Sequence, residues 1–188
     1  MPQIHPFPLP INALLTKYTG AGAYADCFAT DIARSVSHAE FVEAFYTGRL
    51  FKLERLLLRA FLSKPSTDLQ AQQLAASELN EFAVWKVEAR AENQLLLCAI
   101  DGRTRSWLMV STTDVPGGTR LYFGSALLPG RKTGNASTGK PTMGFTFKAL
   151  LSFHNFYSRA LLSAAARRLS CMGESSGKFT AEIFSFFR

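Results

Sequence analysis

The sequence predicts an α+β fold: one domain in which a curved antiparallel sheet and a long C-terminal helix enclose an apolar hollow. Three observations carry this expectation. Between residues 82 and 128, apolar and polar residues alternate and turn residues interrupt them, the pattern of half-buried strands joined by hairpins. Before this region, 38–48 and 50–62 repeat their apolar residues at helical spacing. After it, 145–169 is the longest helical pattern in the chain.

The elements follow in order. Residues 1–23 carry prolines at positions 2, 6, 8 and 10, which hold the backbone extended. They read as an arm on the surface, with room for one helical turn within 11–18. Tyr24 to Val36 reads as the opening strand. Ser37 and Glu40 form a capping box: the hydroxyl satisfies the amide three residues on, and the carboxylate reaches back. Phe41, Val42, Phe45 and Tyr46 continue that helix, and Gly48 reads as its C-cap. A second helix runs from Leu50 to Leu62, with Lys52, Glu54, Arg55 and Arg59 on its wet side and Pro65 beyond its end. Residues 66–80 fit a short helix or a loop.

The meander then begins. Trp85, Val87 and Ala89 alternate with Lys86, Glu88 and Arg90, and Glu92-Asn93 turns the chain. Gln94–Ile100 is the next strand, and Asp101-Gly102 is a two-residue hairpin signal. Arg103–Thr113 and Thr119–Leu128 are joined through Asp114–Gly118. Residues 130–143, full of Gly, Ser, Thr, Lys and Asn, read as a flexible insertion loop. The long helix follows, with Phe147, Leu150, Leu151, His154, Tyr157, Leu161 and Ala165 on one side. At about 25 residues it would span about 37 Å, enough to cross a small sheet. The expected organisation is an arm (1–23), a domain (24–170) and an aromatic tail (171–188).

Composition narrows the function. With 47% apolar and 19% charged residues in a chain of 188, a core can form without staples. Cys27, Cys98 and Cys171 are odd in number and contain no CxxC pair, so neither a zinc knuckle nor a redox pair is written here. A reduced, cytoplasmic location is expected. His5, His38 and His154 are too scattered to suggest a metal site. The N-terminus lacks the basic start and apolar run of a signal peptide, and no stretch approaches the ~20 apolar residues that span a bilayer. The net charge of +7 is dispersed, with tight pairs such as Arg103/Arg105 and Arg167/Arg168 but no recognised nucleic-acid motif, so nucleic acid is not an expected partner. Gly134–Lys140 mimics a phosphate-binding loop, but Pro141 stands where a magnesium-holding hydroxyl is required. No cofactor is expected.

Tyr24-Ala25-Asp26-Cys27-Phe28, the Phe41–Phe45 helix with Leu56-Leu57-Leu58-Arg59, and Phe153-His154 with Leu161-Leu162 carry a family resemblance. Over residues 24–170 the chain resembles a bacterial family of uncharacterised proteins, and its element order resembles the helix-grip fold of the START and birch-pollen-allergen superfamily. The resemblance implies a sheet wrapped around the last helix, with a cavity between them. Members of that superfamily bind lipophilic small molecules, and some are cyclases or dehydratases. The fold alone transmits neither function.

The candidate ligand-binding residues are Trp85, Arg105, Trp107, Tyr122, Phe147, Leu150, His154 and Tyr157, an apolar wall with a few polar handles. His154, on the apolar side of the long helix, is the candidate acid or base. Asp26, Asp31, Glu78 and Glu81 are other acids that nothing in the sequence pairs with it. Arg105, Trp107 and Met109 share one face of their strand. If that face is concave, Arg105 meets an anionic head group at the mouth. If it is convex, Arg103 and Arg105 are surface charge, and Thr104, Ser106, Leu108 and Val110 line the hollow. Three functions fit: a binder of a lipophilic small molecule, a cyclase, dehydratase or isomerase in the same cavity, and an interaction module with a filled cavity. The aromatic tail is a candidate dimerisation segment.

Overall fold

Tyr24–Ile32, the first long strand, pairs along its whole length with Thr119–Leu127, the last, so the chain folds back to seal the sheet at its start. The computed structural model describes residues 2–19, 23–52, 66–129 and 155–172. The strands are β1 (His5–Pro6), β2 (Tyr24–Ile32), β3 (Glu81–Phe82), β4 (Trp85–Ala91), β5 (Gln94–Ala99), β6 (Thr104–Thr112) and β7 (Thr119–Leu127). They form one seven-stranded sheet in the order β1-β2-β7-β6-β5-β4-β3. Every pairing is antiparallel. The helices are α1 (His38–Tyr46), α2 (Asp68–Ala75) and α3 (155–172), and residues 49–52 are also helical.

Local chemistry explains the helix starts. The Ser37 hydroxyl accepts from the Glu40 amide, and Glu40 Oε2 accepts from Ser37 N at 2.8 Å. Thr67 and Gln70 repeat the device at α2. That second capping box resolves the question over 66–80: a helix forms there. Gly48 is not a left-handed cap. α1 ends on Thr47, whose amide and hydroxyl both donate to the Glu43 carbonyl, and helical residues resume at 49. Of the turn glycines, Gly102 (φ +69°) and Gly117 (φ +74°) adopt the left-handed backbone that their turns require. The β5–β6 connection spans four residues, 100–103, rather than two; Asp101 Oδ1 accepts from the Arg103 and Thr104 amides.

The sheet is covered on both faces. Phe28, Leu97, Leu108 and Phe123 face the helices and meet Phe45 of α1, Leu74 of α2, and Leu161, Leu162 and Leu169 of α3. Burial of α3 at 158, 161, 162, 165, 166 and 169 follows the helical period expected of a core-facing stripe. Its C-terminal end is held by Arg34 Nε, which donates to the Leu169 carbonyl at 2.9 Å, and by Arg168, which donates to Thr47 Oγ1.

The other face carries Leu96, Trp107, Met109 and Tyr122. The N-terminal arm covers it. The helical turn allowed within 11–18 forms as a 3-10 helix, Leu14–Tyr18, but the arm does not merely lie on the surface: it supplies edge strand β1 and completes a second core in which Leu15 is fully buried. The strict alternation expected along β4 also fails. A bulge between Val87 and Ala89 shifts the register, so Trp85 and Val87 pack toward the helices and Ala89 toward the arm. Arg90 then reaches back to the carbonyls of Leu74 (3.1 Å) and Leu79 (2.8 Å), at the end of α2.

Among the described residues no helix is long and apolar enough to cross a membrane. The expectations for residues 53–62, the 130–143 loop, residues 145–154 of the long helix and the tail from 173 onward lie outside the described residues.

Candidate functional site

On the helix-facing side, the sheet grades from apolar to polar along its strands. Phe28, Phe123 and Leu108 form one apolar row across β2, β7 and β6. Two residues along, the row is Asp26, Ser125 and Ser106, with Ser125 opposite both of the others. Two further, it is Tyr24, Leu127 and Thr104, and Trp85 pairs with Ala99 on the neighbouring strands. The polar end meets the start of α3, where Tyr24 Oη donates to Asn155 Oδ1 at 3.0 Å. Burial, and then the Asp26 carboxylate, raise the Tyr24 phenol above its ordinary value, so Tyr24 stays a neutral donor.

A hollow of about 170 Å³ lies at this end. Phe45, Phe51, Phe123 and Leu161 give it apolar walls, and Trp85, Thr104, Ser106, Ser125, Tyr157 and Ser158 give it polar groups. Most of these are committed. Ser106 Oγ and Tyr46 Oη are 3.3 Å apart. Ser125 Oγ donates to Asp26 Oδ1 at 2.6 Å, and the Ser125 amide donates to the same oxygen at 3.0 Å. Two are not. Trp85 Nε1 and Ser158 Oγ have no hydrogen-bond partner, but both atoms are closed to a water-sized molecule, so neither opens onto the hollow. Native interiors rarely leave such groups unpaired, since each carries a desolvation penalty of roughly 1–3 kcal/mol.

Of the residues proposed from sequence, the structure brings Trp85 and Tyr157 together at the hollow. Trp107 and Tyr122 belong elsewhere: they stand on the opposite face, with ring centroids 6.2 Å apart in the core under the arm. Strand parity separates them, because Thr104 and Ser106 take the helix side and Trp107 and Met109 take the other. Arg105 is neither a head-group ligand in the hollow nor surface charge. It borders the hollow where β6 passes, but its guanidinium lies on the arm side, bonded to Tyr18 Oη at 3.0 Å, to the Gly102 carbonyl at 2.9 Å and to the Glu88 carboxylate. Glu88 also meets Lys17 and Tyr18. Burial opposes its charge, but these three partners hold its carboxyl below the usual range. Phe147, Leu150 and His154 lie outside the described residues.

Asp31 is bound to Arg120 at the surface, and Asp26 belongs to the polar row. Burial, with Asp26 nearby, pushes the Cys27 thiol up to about 12, so it is inert at neutral pH. Among the described residues no three His, Cys, Asp or Glu side chains gather into a metal site. Sequence reasoning missed Ser125 and Ser158. Their signal was a small hydroxyl at a position whose strand or helix neighbours on the same face are large and apolar. Comparison with known proteins gives no match, whether to a protein-family model, a curated protein or a solved structure.

Proposed function

We propose that this chain is a cytoplasmic protein of helix-grip architecture that binds a lipophilic small molecule in the hollow between the sheet and α3. The observation that carries the reading is a volume of about 170 Å³ whose lining pairs the apolar walls of Phe45, Phe51, Phe123 and Leu161 with the polar side chains of Thr104, Ser106 and Ser125. A binding pocket wants that composition: mostly apolar lining and a few oriented polar groups. The helix-grip reading is supported by the pairing of the first long strand with the last and by the final helix packing on one face. The free thiols of Cys27 and Cys98 support a reducing compartment.

A cyclase, dehydratase or isomerase in the same hollow is the second reading. It draws on Asp26, whose carboxylate is one hydrogen bond from the lining through Ser125. The open volume counts against an interaction module with a filled cavity.

The test is mass spectrometry of an organic extract of the purified protein beside an extract of an unrelated protein prepared identically. A lipophile enriched at near-equal molar ratio supports binding. A blank extract, together with no rise in unfolding temperature across a panel of lipophiles, refutes it.

A further inference from the structure

We infer that the N-terminal arm is a strap that clamps the first turns of α3 and thereby gates the hollow between α3 and the sheet. As a gate for a ligand this rests on the binding reading above; the clamp itself does not.

The arm touches both layers. From Phe7 onward it covers the face of Trp107, where Phe7, Leu9, Leu15 and Tyr18 join the second core. Ile4, just before, packs against the helix-side core instead. Between the two, β1 pairs with the outer edge of β2 at His5↔Ala29 and Pro6↔Phe28, and Phe7 N donates to the Cys27 carbonyl at 2.9 Å. The arm therefore passes around the edge of the sheet and joins two layers that the sheet otherwise separates.

On the helix side it meets α3. Arg159 Nη2 donates to the Ile4 carbonyl at 3.0 Å. One turn earlier in the helix, Asn155 accepts from Tyr24, the residue that opens β2 after the arm. The far end of α3 has other anchors, Arg34 at the Leu169 carbonyl and Thr47 at Arg168, and neither belongs to the arm. The hollow takes Tyr157, Ser158 and Leu161 from the strapped end. Lifting the arm thus frees one wall of the hollow and leaves the rest of the helix fixed.

The tie can be released. The Arg159–Ile4 bond is exposed to water, and an open groove of about 680 Å³ runs beside it, lined by Pro2, Ile4, Phe156 and Ala160 among others. Exposed, sparsely packed contacts of this kind open at low free energy while the core stays closed.

Hydrogen exchange of the full-length protein, read by mass spectrometry, tests the clamp from both faces. Arg159→Gln removes the tie at an exposed position. Exchange over residues 155–160 should rise by about fivefold, the effect of one hydrogen bond, while residues 165–169 and α1 hold. Gln94→Leu loosens the arm from the opposite face and should accelerate 155–160 more than 165–169. Equal acceleration along all of α3, or acceleration in the arm alone, would overturn the clamp; if Gln94→Leu fails to fold, Arg159→Gln decides. Gating is read from a thiol placed in the lining. Ser106→Cys, alkylated with N-ethylmaleimide and located by peptide mapping, should react about fivefold faster when Arg159→Gln is added. Thr104→Cys on the same lining serves if Ser106→Cys does not fold. Unchanged alkylation beside faster exchange at 155–160 would overturn the gate. Faster alkylation, with a blank extract and no stabilisation by lipophiles, would support the gate and remove the binding reading.

Discussion

Gly124 lies directly against Trp107: a Cβ at position 124 would stand 2.9 Å from Trp107 Cε3, 3.0 Å from Leu15 Cδ2 and 2.8 Å from the Asp26 carbonyl oxygen. Such contacts do not occur in relaxed proteins, and one of the three neighbours is backbone. Gly124→Ala should therefore destabilise the protein by about 1–3 kcal/mol, the usual effect of overpacking a filled core. A lower urea midpoint with an unchanged m-value would show it. An unchanged midpoint would mean that the arm lifts away from the sheet without loss.

The amide of Gln94 ties the arm to the sheet. Its Oε1 accepts from Trp107 Nε1 and from the Leu14 amide, both at 2.9 Å, and its Nε2 donates to the Asn12 carbonyl at 3.0 Å. Gln94→Leu keeps most of the volume and strands all three groups. The expected loss is about 2–4 kcal/mol. Amide hydrogen exchange over residues 12–18 should accelerate more than exchange in α1, because the arm is what Gln94 holds.

Two arginines on the arm-facing side should differ in consequence. The side chains of Arg105 and Glu88 are 10% and 20% exposed, whereas those of Arg120 and Asp31 are 27% and 45% exposed. Arg105→Gln leaves Glu88 half-buried with less compensation, for a loss of about 2–3 kcal/mol. Arg120→Gln breaks a fork of two bonds, at 2.6 and 2.7 Å, that is more exposed to water than the Arg105 pair. Its effect should stay under about 1 kcal/mol and shrink further as salt is added. Denaturation of both variants at low and high ionic strength checks the contrast.

His38 makes stability depend on pH. It opens α1, and its Nε2 is buried without a partner. Burial first, then the positive charge of Arg90, pushes the imidazole down from 6.5 to about 4, and a backbone hydrogen bond at Leu108 opposes this only in part. The folded state thus prefers the neutral ring, while the unfolded chain takes up its proton near 6.5. The stability linked to His38 is complete above that value and is lost as the pH falls toward about 4, to a total of roughly 3 kcal/mol. Urea midpoints across this window should fall more steeply for the wild type than for His38→Gln. Parallel slopes would mean the ring is charged in the folded protein.

The fold could be read from the sequence wherever one residue pattern had one physical meaning. The Ser37–Glu40 box, the turn at Gly117-Gly118 and the strands between Gln94 and Leu127 each became the expected element, and Asp101-Gly102 marked a turn, though one of four residues instead of two. The site was harder. Arg105-Ser106-Trp107-Leu108 alternates equally well in either orientation, and only covering layers decide which face is which. The arm held that decision, yet its prolines and lack of period made it look like a surface strap. Its grip depends on Leu15 and on Gln94, 80 residues away from Leu14, a separation no local pattern can report.

Because β6 sends Thr104, Ser106 and Leu108 to one layer and Arg105, Trp107 and Met109 to the other, the sheet acts as a partition between two unrelated tasks. Specificity can drift at alternate positions while the anchoring ones stay put, as long as the strand keeps its place. A slide of one residue would exchange the two sets, driving a guanidinium into the hollow and hydroxyls beneath the arm. The 100–103 loop, whose length fixes that phase, should therefore resist insertions and deletions that a surface connection of its kind would ordinarily absorb.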